Sequence, residues 1–236
     1  MASFNTYRFK GRKVIIRVDF NVPLDKETFE IIDDKRMQAA LPTINKILSD
    51  GGSVIIISHL GRPKNGPEKS FSLSHLTNHL EQITSRKVLF AQDCIGEEAQ
   101  TLSQKLNPGE ILLLENVRFY KEETLGDANF AKQLADLGDC YVNDAFGTAH
   151  RAHSSTTHIA TYFTRENKMS GLLMKSEIES AKKVMEVTQR PFTAIVGGAK
   201  VSDKVLIVEN LMKTADHIII GGGMAYTFKK ALGGQI

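Results

Sequence analysis

Cationic and hydrogen-bonding side chains recur in this sequence directly after short apolar runs, and their types suit the recognition of anions. Arg17-Val18-Asp19-Phe20-Asn21 closes a run that starts at Lys13. His59-Leu60-Gly61-Arg62-Pro63 follows a run over 53–58, and Glu115-Asn116-Val117-Arg118-Phe119 follows one over 111–114. A further cluster, from Asn143 to His153, follows 140–142 and carries Asp144, Gly147, His150 and Arg151. Arg36 adds a guanidinium at the head of a helical pattern. Arginine is planar, permanently charged and forked, so it grips phosphate or carboxylate with two hydrogen bonds at once. One arginine after a strand is ordinarily a solvated charge. Several strand ends each delivering one to the same rim favour a small, multiply anionic ligand over scattered surface charge. His150, His153 and His158 share a loop but lack a carboxylate or cysteine partner at metal-ligand spacing. They read as hydrogen-bonding groups beside anions, with His158 open to a purely structural role.

A second set of groups lies near the carboxyl end of the chain. Gly197-Gly198-Ala199-Lys200-Val201-Ser202-Asp203-Lys204 follows the apolar run 192–196, with Ser202 the expected cap of the next helix. Glycines let backbone N–H groups approach a phosphate, and a helix start adds positive potential. The bland alternative is an ordinary tight turn. Neither a GxxxxGK[ST] loop nor a GxGxxG dinucleotide fingerprint is present. Gly221-Gly222-Gly223 follows the run 217–220 and would let a flat ligand lie against backbone, or be simply a loop.

The elements that must position these groups are legible in the periodicity. The runs 13–18, 53–58, 87–90, 111–114, 140–142, 192–196 and 217–220 are apolar almost throughout. Strands of a parallel sheet covered on both faces have that composition. Helical patterns lie between them at 36–50, 74–85, 97–106, 128–138, 171–187 and 203–215. In the first, Met37, Ala40, Leu41, Ile44, Ile47 and Leu48 share a face, and Pro42 is expected to kink the helix or weaken a hydrogen bond. Strand and helix in alternation predict an α/β, doubly wound, Rossmann-like fold with ligands at the carboxyl ends of the strands. Pro191 marks a stop. Residues 1–170 are therefore expected to form a first domain with five strands, 171–190 a connecting helix, and 191–236 the opening of a second domain. That opening holds about two strands and one helix, which leads to the expectation of an incomplete second domain and a truncated chain.

Composition excludes several classes. Hydrophobic residues make up 42% and charged residues 24% of the 236 positions, ordinary for a globular chain. A net charge of +3, without aromatic residues interleaved among the basic ones, argues against nucleic acid as partner. Cys94 and Cys140 belong to no ligand or CxxC spacing and read as free thiols in a reducing compartment. No apolar run approaches the ~20 residues that cross a bilayer, and the first residues lack a signal-peptide core. A cytoplasmic monomer with no membrane partner is expected.

The motifs RVDFNVP at 17–23, SHLGRP at 58–63, LLENVRF at 113–119, NDAFGTAHRAH at 143–153, GGAKVSDK at 197–204 and GGGMAYTF at 221–228 occur in an order and at gaps similar to those of the phosphoglycerate kinase family. The resemblance implies two α/β domains joined by a helix, with 171–190 the hinge about which they close. It implies reversible phosphoryl transfer between 1,3-bisphosphoglycerate and ADP, giving 3-phosphoglycerate and ATP, with Mg2+ on the nucleotide. Asp19, Phe20, Asn21, Arg36, His59, Leu60, Gly61, Arg62, Arg118 and Arg151 would then bind phosphoglycerate. Arg36 and Lys200 would be catalytic, clamping the migrating phosphoryl group. Lys204 would hold nucleotide phosphates, with Gly198, Ala199, Lys200, Gly221, Gly222 and Gly223 beside them. The family's second domain continues past the point where this sequence stops, so most nucleotide and metal contacts are expected beyond residue 236 and turnover by this chain alone is expected to be negligible. The alternative from another class is a non-catalytic anion-binding fragment.

Overall fold

The computed structural model describes residues 3–64, 66–186, 190–198, 201–202 and 204–235. The chain divides into two compact units, Met1–Glu177 and Ile178–Ile236.

The first unit is built on six strands, β1 (Lys13–Arg17), β2 (Ser53–Ile57), β3 (Val88–Phe90), β4 (Ile111–Leu113), β5 (Cys140–Asn143) and β6 (Lys168–Ser170). They pair in parallel in the order β3-β4-β2-β1-β5-β6. Five helices accompany them: α1 (Lys35–Ser49), α2 (Thr77–Thr84), α3 (Gly96–Lys105), α4 (Lys121–Leu125) and α5 (Ala128–Ala135). Side chains alternate across a strand, and here both sets are apolar. Val14, Ile16, Val54, Ile56 and Leu113 pack with Met37, Ile44 and Ile47 of α1 and Leu80 of α2. Ile15, Ile55, Ile57, Leu112 and Tyr141 pack with Ala99 of α3 and Phe130 and Leu134 of α5. Each such side chain contributes about 1.5–3 kcal/mol by leaving water, so neither face of the sheet tolerates a polar stripe. That double burial is why the runs read as continuously apolar.

Pro42 is exposed, and α1 continues through it to Ser49. The sheet has one strand more than the five expected. β6 pairs with β5 from Tyr141↔Lys168 to Asn143↔Ser170. Its three residues include a single apolar one, Met169, too little for a periodic signal. Cys94 and Cys140 are free and buried. The chain leaves β1 toward β2 on one side and returns as β5 on the other. The carboxyl ends of β1 and β5 therefore flank the crevice where a doubly wound sheet reverses its strand order.

Helix α6 (Leu172–Met185) begins in the first unit and ends in the second. The second unit pairs β7 (Thr193–Gly197) with β8 (His217–Gly221) in parallel. Around them lie α7 (Val205–Met212) and α8 (Met224–Ala231). Val196, Val208 and Met224 form its buried centre. On the other sheet face Ile195 is 76% and Ile219 53% exposed. Helix α7 is capped at Lys204, not at Ser202 as expected. The Lys204 N–H donates to the Val201 carbonyl at 2.9 Å. The glycine-rich stretch 221–223 leads into α8, a helix absent from the sequence-based reading. Among the described residues no helix is long and apolar enough to cross a membrane.

Candidate functional site

At the end of β1 the strand delivers Arg17 into the protein, where it is 1% exposed. Its Nε donates to Ser155 Oγ at 2.9 Å, Nη1 donates to the Val18 carbonyl, and Nη2 lies 3.1 Å from His59 Nδ1. A guanidinium has donors only, so His59 Nδ1 must accept and the ring proton must sit on Nε2. His59 is itself buried. Burial first, then the positive charges of Arg17, Arg118, Arg36 and Arg151, push its pKa down to about 2. The imidazole is therefore neutral, and Nε2–H is its free donor.

Loop geometry brings the remaining groups beside it. Asp19 accepts from Arg36 Nη1 at 2.7 Å. Asn21 Oδ1 accepts from the Gly61 N–H at 2.7 Å, tying the loop after β1 to the loop after β2. The Gly61 carbonyl in turn accepts from Arg118 Nη1 at 2.7 Å. Gly61 has φ +61°, and an added Cβ would sit 2.3 Å from the Phe71 ring, so this crossing requires glycine. Asn116, fully buried, donates to the carbonyls of Leu60 and Phe71 and accepts from the Arg118 N–H. Phe20 and Leu60 are buried, and Phe20 donates its N–H to Ser58 Oγ at 2.9 Å. Burial lowers the pKa of Arg118, and the neighbouring charges of Arg151, Arg17 and Arg62 lower it further. Arg62 and Arg36 are exposed and Arg151 half-buried. An anion placed among these groups would relieve that mutual repulsion, so the cluster is suited to negative charge.

In the second unit, the loops after β7 and β8 meet. Lys204 Nζ donates to the Gly197 carbonyl at 2.9 Å. The Met224 N–H, at the start of α8, donates to the Gly198 carbonyl at 2.9 Å. Gly222 has φ +65°, and a Cβ there would stand 3.1 Å from the Gly198 carbonyl oxygen; a Cβ on Gly198 would stand 3.1 Å from Lys204 Cε. Glycine at both positions permits this close backbone approach. Gly221 and Gly223 border the same turn.

Residues 4–236 match the phosphoglycerate kinase family. The chain belongs to the phosphoglycerate kinase family. Among curated phosphoglycerate kinases it is 50% identical to that of Porphyromonas gingivalis over 253 aligned positions, covering 98% of this chain and 60% of that protein. The chloroplastic phosphoglycerate kinase of Volvox carteri is 48% identical, covering 95% of this chain and 48% of that one. Among solved structures, phosphoglycerate kinase from Pyrococcus horikoshii superposes with a TM-score of 0.89 at 32% identity over 100% of this chain and 58% of that one. That from Coxiella burnetii gives 0.82 at 39%, over 98% and 57%. The chain thus spans about three-fifths of the length of the first of these relatives.

For this phosphoglycerate kinase family member, the structure gathers Asp19, Asn21, Arg36, His59, Gly61, Arg62, Arg118 and Arg151 at adjoining strand ends of the first unit. It gathers Gly198, Lys204 and Gly221–Gly223 at the two strand ends of the second. Ala199 and Lys200 lie outside the described residues. Arg17 was legible as part of the β1 cluster, yet it is buried within the protein and not displayed on the rim. Glu123 and Ser155, which hold Arg17 from behind, were not singled out, and Asn116 and Ser58 stood in the sequence motifs without an assigned role. Glu123 lies in a polar stretch, Lys121-Glu122-Glu123-Thr124, that resembles any solvated helix, so no sequence signal marked it.

Proposed function

We propose that this chain supplies the phosphoglycerate site and the opening of the nucleotide site of a cytoplasmic, monomeric phosphoglycerate kinase. The reaction is reversible phosphoryl transfer between 1,3-bisphosphoglycerate and ADP, giving 3-phosphoglycerate and ATP. The observation that carries this reading is the convergence of Arg36, Arg62, Arg118 and Arg151 at adjoining strand ends, with Arg36 held by Asp19 and Arg118 by the Gly61 carbonyl beside the neutral His59. A triose that bears a phosphate and a carboxyl group has the charge to answer such a cluster. Residues 1–170 are assigned to phosphoglycerate, 171–190 to the hinge and 191–236 to the nucleotide side.

Phosphoryl transfer spreads charge over the phosphoryl oxygens, so catalysis consists mainly of positioning and fixed positive charge. Asp19 holds Arg36 by one nitrogen, leaving the rest of the guanidinium for the reacting end of the ligand, with Lys200 assigned to the same phosphoryl group. Asn21, His59 Nε2–H, Arg62, Arg118 and Arg151 are assigned to grip the rest of the ligand. On the nucleotide side the groups present suit phosphate oxygens: an ammonium at Lys204, and glycines at 198 and 222 where a Cβ would crowd the close backbone approach. A bound ADP would supply the acceptor oxygen, and its magnesium would offset phosphate charge.

Calorimetric titration of this chain with 3-phosphoglycerate at low ionic strength tests the assignment. Heat of binding that weakens steeply as salt is added is expected, since screening acts on each of several ion contacts. No heat from a folded sample overturns it. A coupled assay on the same sample reports whether the chain turns over by itself.

A further inference from the structure

We propose that Glu123 is a positioning residue for the anion site: through Ser155 it fixes the Arg17 guanidinium, and Arg17 fixes His59 in the form that presents Nε2–H to the ligand. The inference builds on the assignment of this site to phosphoglycerate.

The four side chains form a directed chain. Glu123 is 1% exposed and spends both oxygens on one residue. Its Oε1 accepts the Ser155 hydroxyl at 2.6 Å, and its Oε2 accepts the Ser155 N–H at 2.9 Å. With its proton committed to Glu123, the Ser155 hydroxyl has lone pairs to offer, and Arg17 Nε donates to them at 2.9 Å. Arg17 Nη2 then reaches His59 Nδ1 at 3.1 Å. Every link is set by the one before it, because a carboxylate only accepts and a guanidinium only donates. The Tyr141 hydroxyl anchors the same loop by donating to the Ser155 carbonyl at 2.8 Å.

Charge explains why such a device belongs here. A guanidinium buried without a counter-charge is strongly unfavourable, and Glu123 is the carboxylate whose field acts most on Arg17. It lies close enough to compensate Arg17, but with serine interposed it does not cap the guanidinium directly. His153 Nδ1 stands 3.7 Å from the same Oε1. Arg118, Arg151 and Arg36 face His59 without a bond to this carboxylate. The permanent internal charge is thus balanced internally, while the cations of the rim remain for the ligand. A shell that orients a donor in this way commonly matters as much as the donor itself.

The test uses the whole chain with Glu123→Gln and Ser155→Ala, and reads the His59 ring nitrogens by NMR without ligand. Wild type is expected to show a single neutral form with the proton on Nε2. Either variant is expected to show a mixture of the two neutral forms and to bind 3-phosphoglycerate about tenfold more weakly. Where Glu123→Gln fails to fold, Ser155→Ala, which removes a hydroxyl and no charge, carries the test. A single Nε2–H form retained in the folded variants overturns the relay, as does unaltered affinity in them. A wild type that shows the single form yet gives no heat with 3-phosphoglycerate refutes the ligand assignment and leaves the positioning of His59 established by the ligand-free spectra.

Discussion

His59 is a histidine that the folded protein cannot protonate at ordinary acidity, and that has a consequence for stability. Its value in the folded chain, about 2, lies below the ~6.5 of an unfolded chain. Below the unfolded value, the unfolded state binds a proton that the folded state does not, so stability falls as pH falls from ~6.5 toward 2. The limiting slope for one proton is about 1.4 kcal/mol per pH unit. Burial lowers His153 as well, with Glu123 opposing. His59→Gln is expected to flatten the fall, seen as a smaller difference in urea midpoint between about pH 5 and pH 7. An unchanged difference would place the titrating group elsewhere. In a chain extended to the relatives' full length, Arg36→Ala and Lys200→Ala are expected to lower kcat by about 3–4 kcal/mol of barrier, and Arg118→Ala to act mainly on KM for phosphoglycerate. Steady-state kinetics separates them; raised KM with intact kcat for Arg36→Ala would reverse the roles. The arginines were readable because strand ends gather ligand groups in this fold class. Glu123 and Ser155 were not, since the burial that gives them meaning arises from partners more than thirty residues away.

Among the elements, α6 shows how the first unit holds its outgoing helix. Asp144, fully buried at the end of β5, accepts the Met174 N–H at 2.9 Å, and Thr43 Oγ accepts the Leu172 N–H at 2.9 Å. Residues just after β5 and within α1 thereby satisfy N–H groups that an isolated helix leaves open. Gly171 makes the fit possible: a Cβ there would lie 2.3 Å from Asp144 Oδ1. Gly171→Ala is expected to cost about 1–3 kcal/mol, measured by denaturant unfolding; a stability equal to wild type would show that the helix start shifts freely. Burial raises the pKa of Asp144. The folded state then holds that proton more tightly than the unfolded one, so the group costs stability as pH rises above the unfolded value of ~3.9. Asp144→Asn keeps the oxygen that accepts from Met174 and is expected to be at least as stable at pH 7; a marked loss would mean that the ionised carboxylate is required. Long, two-sided apolar strands and the helices between them were legible. Helix α8 was hidden behind three glycines, which read as a loop, and α4 and β6 are too short to carry a period.

At the scale of the molecule, the two units differ in how completely they cover their sheets. In the first, strands β2 and β4 are buried on both faces. In the second, β7 alternates exposed and buried residues, and Leu206, Ile207 and Met212 of α7 are open to solvent. Exchange of backbone amides is expected to be slow in β2 and β4 and fast in β7 and β8, read at concentrations low enough to prevent association through the open strands. Equal protection would show that the second unit is stable by itself. The strand order of the first unit bears also on how the protein is made. Arg17 meets Ser155 across 138 positions, and β5 pairs with β1 only after the intervening strands exist. A chain leaving the ribosome would have synthesised Arg17, Arg36, Arg62 and Arg118 and still possess no receptor. On the proposed assignment, the site comes into being when the segment through Ser155 has emerged and docked, so capture of the anion would time-stamp the pairing of β5 with β1 during synthesis.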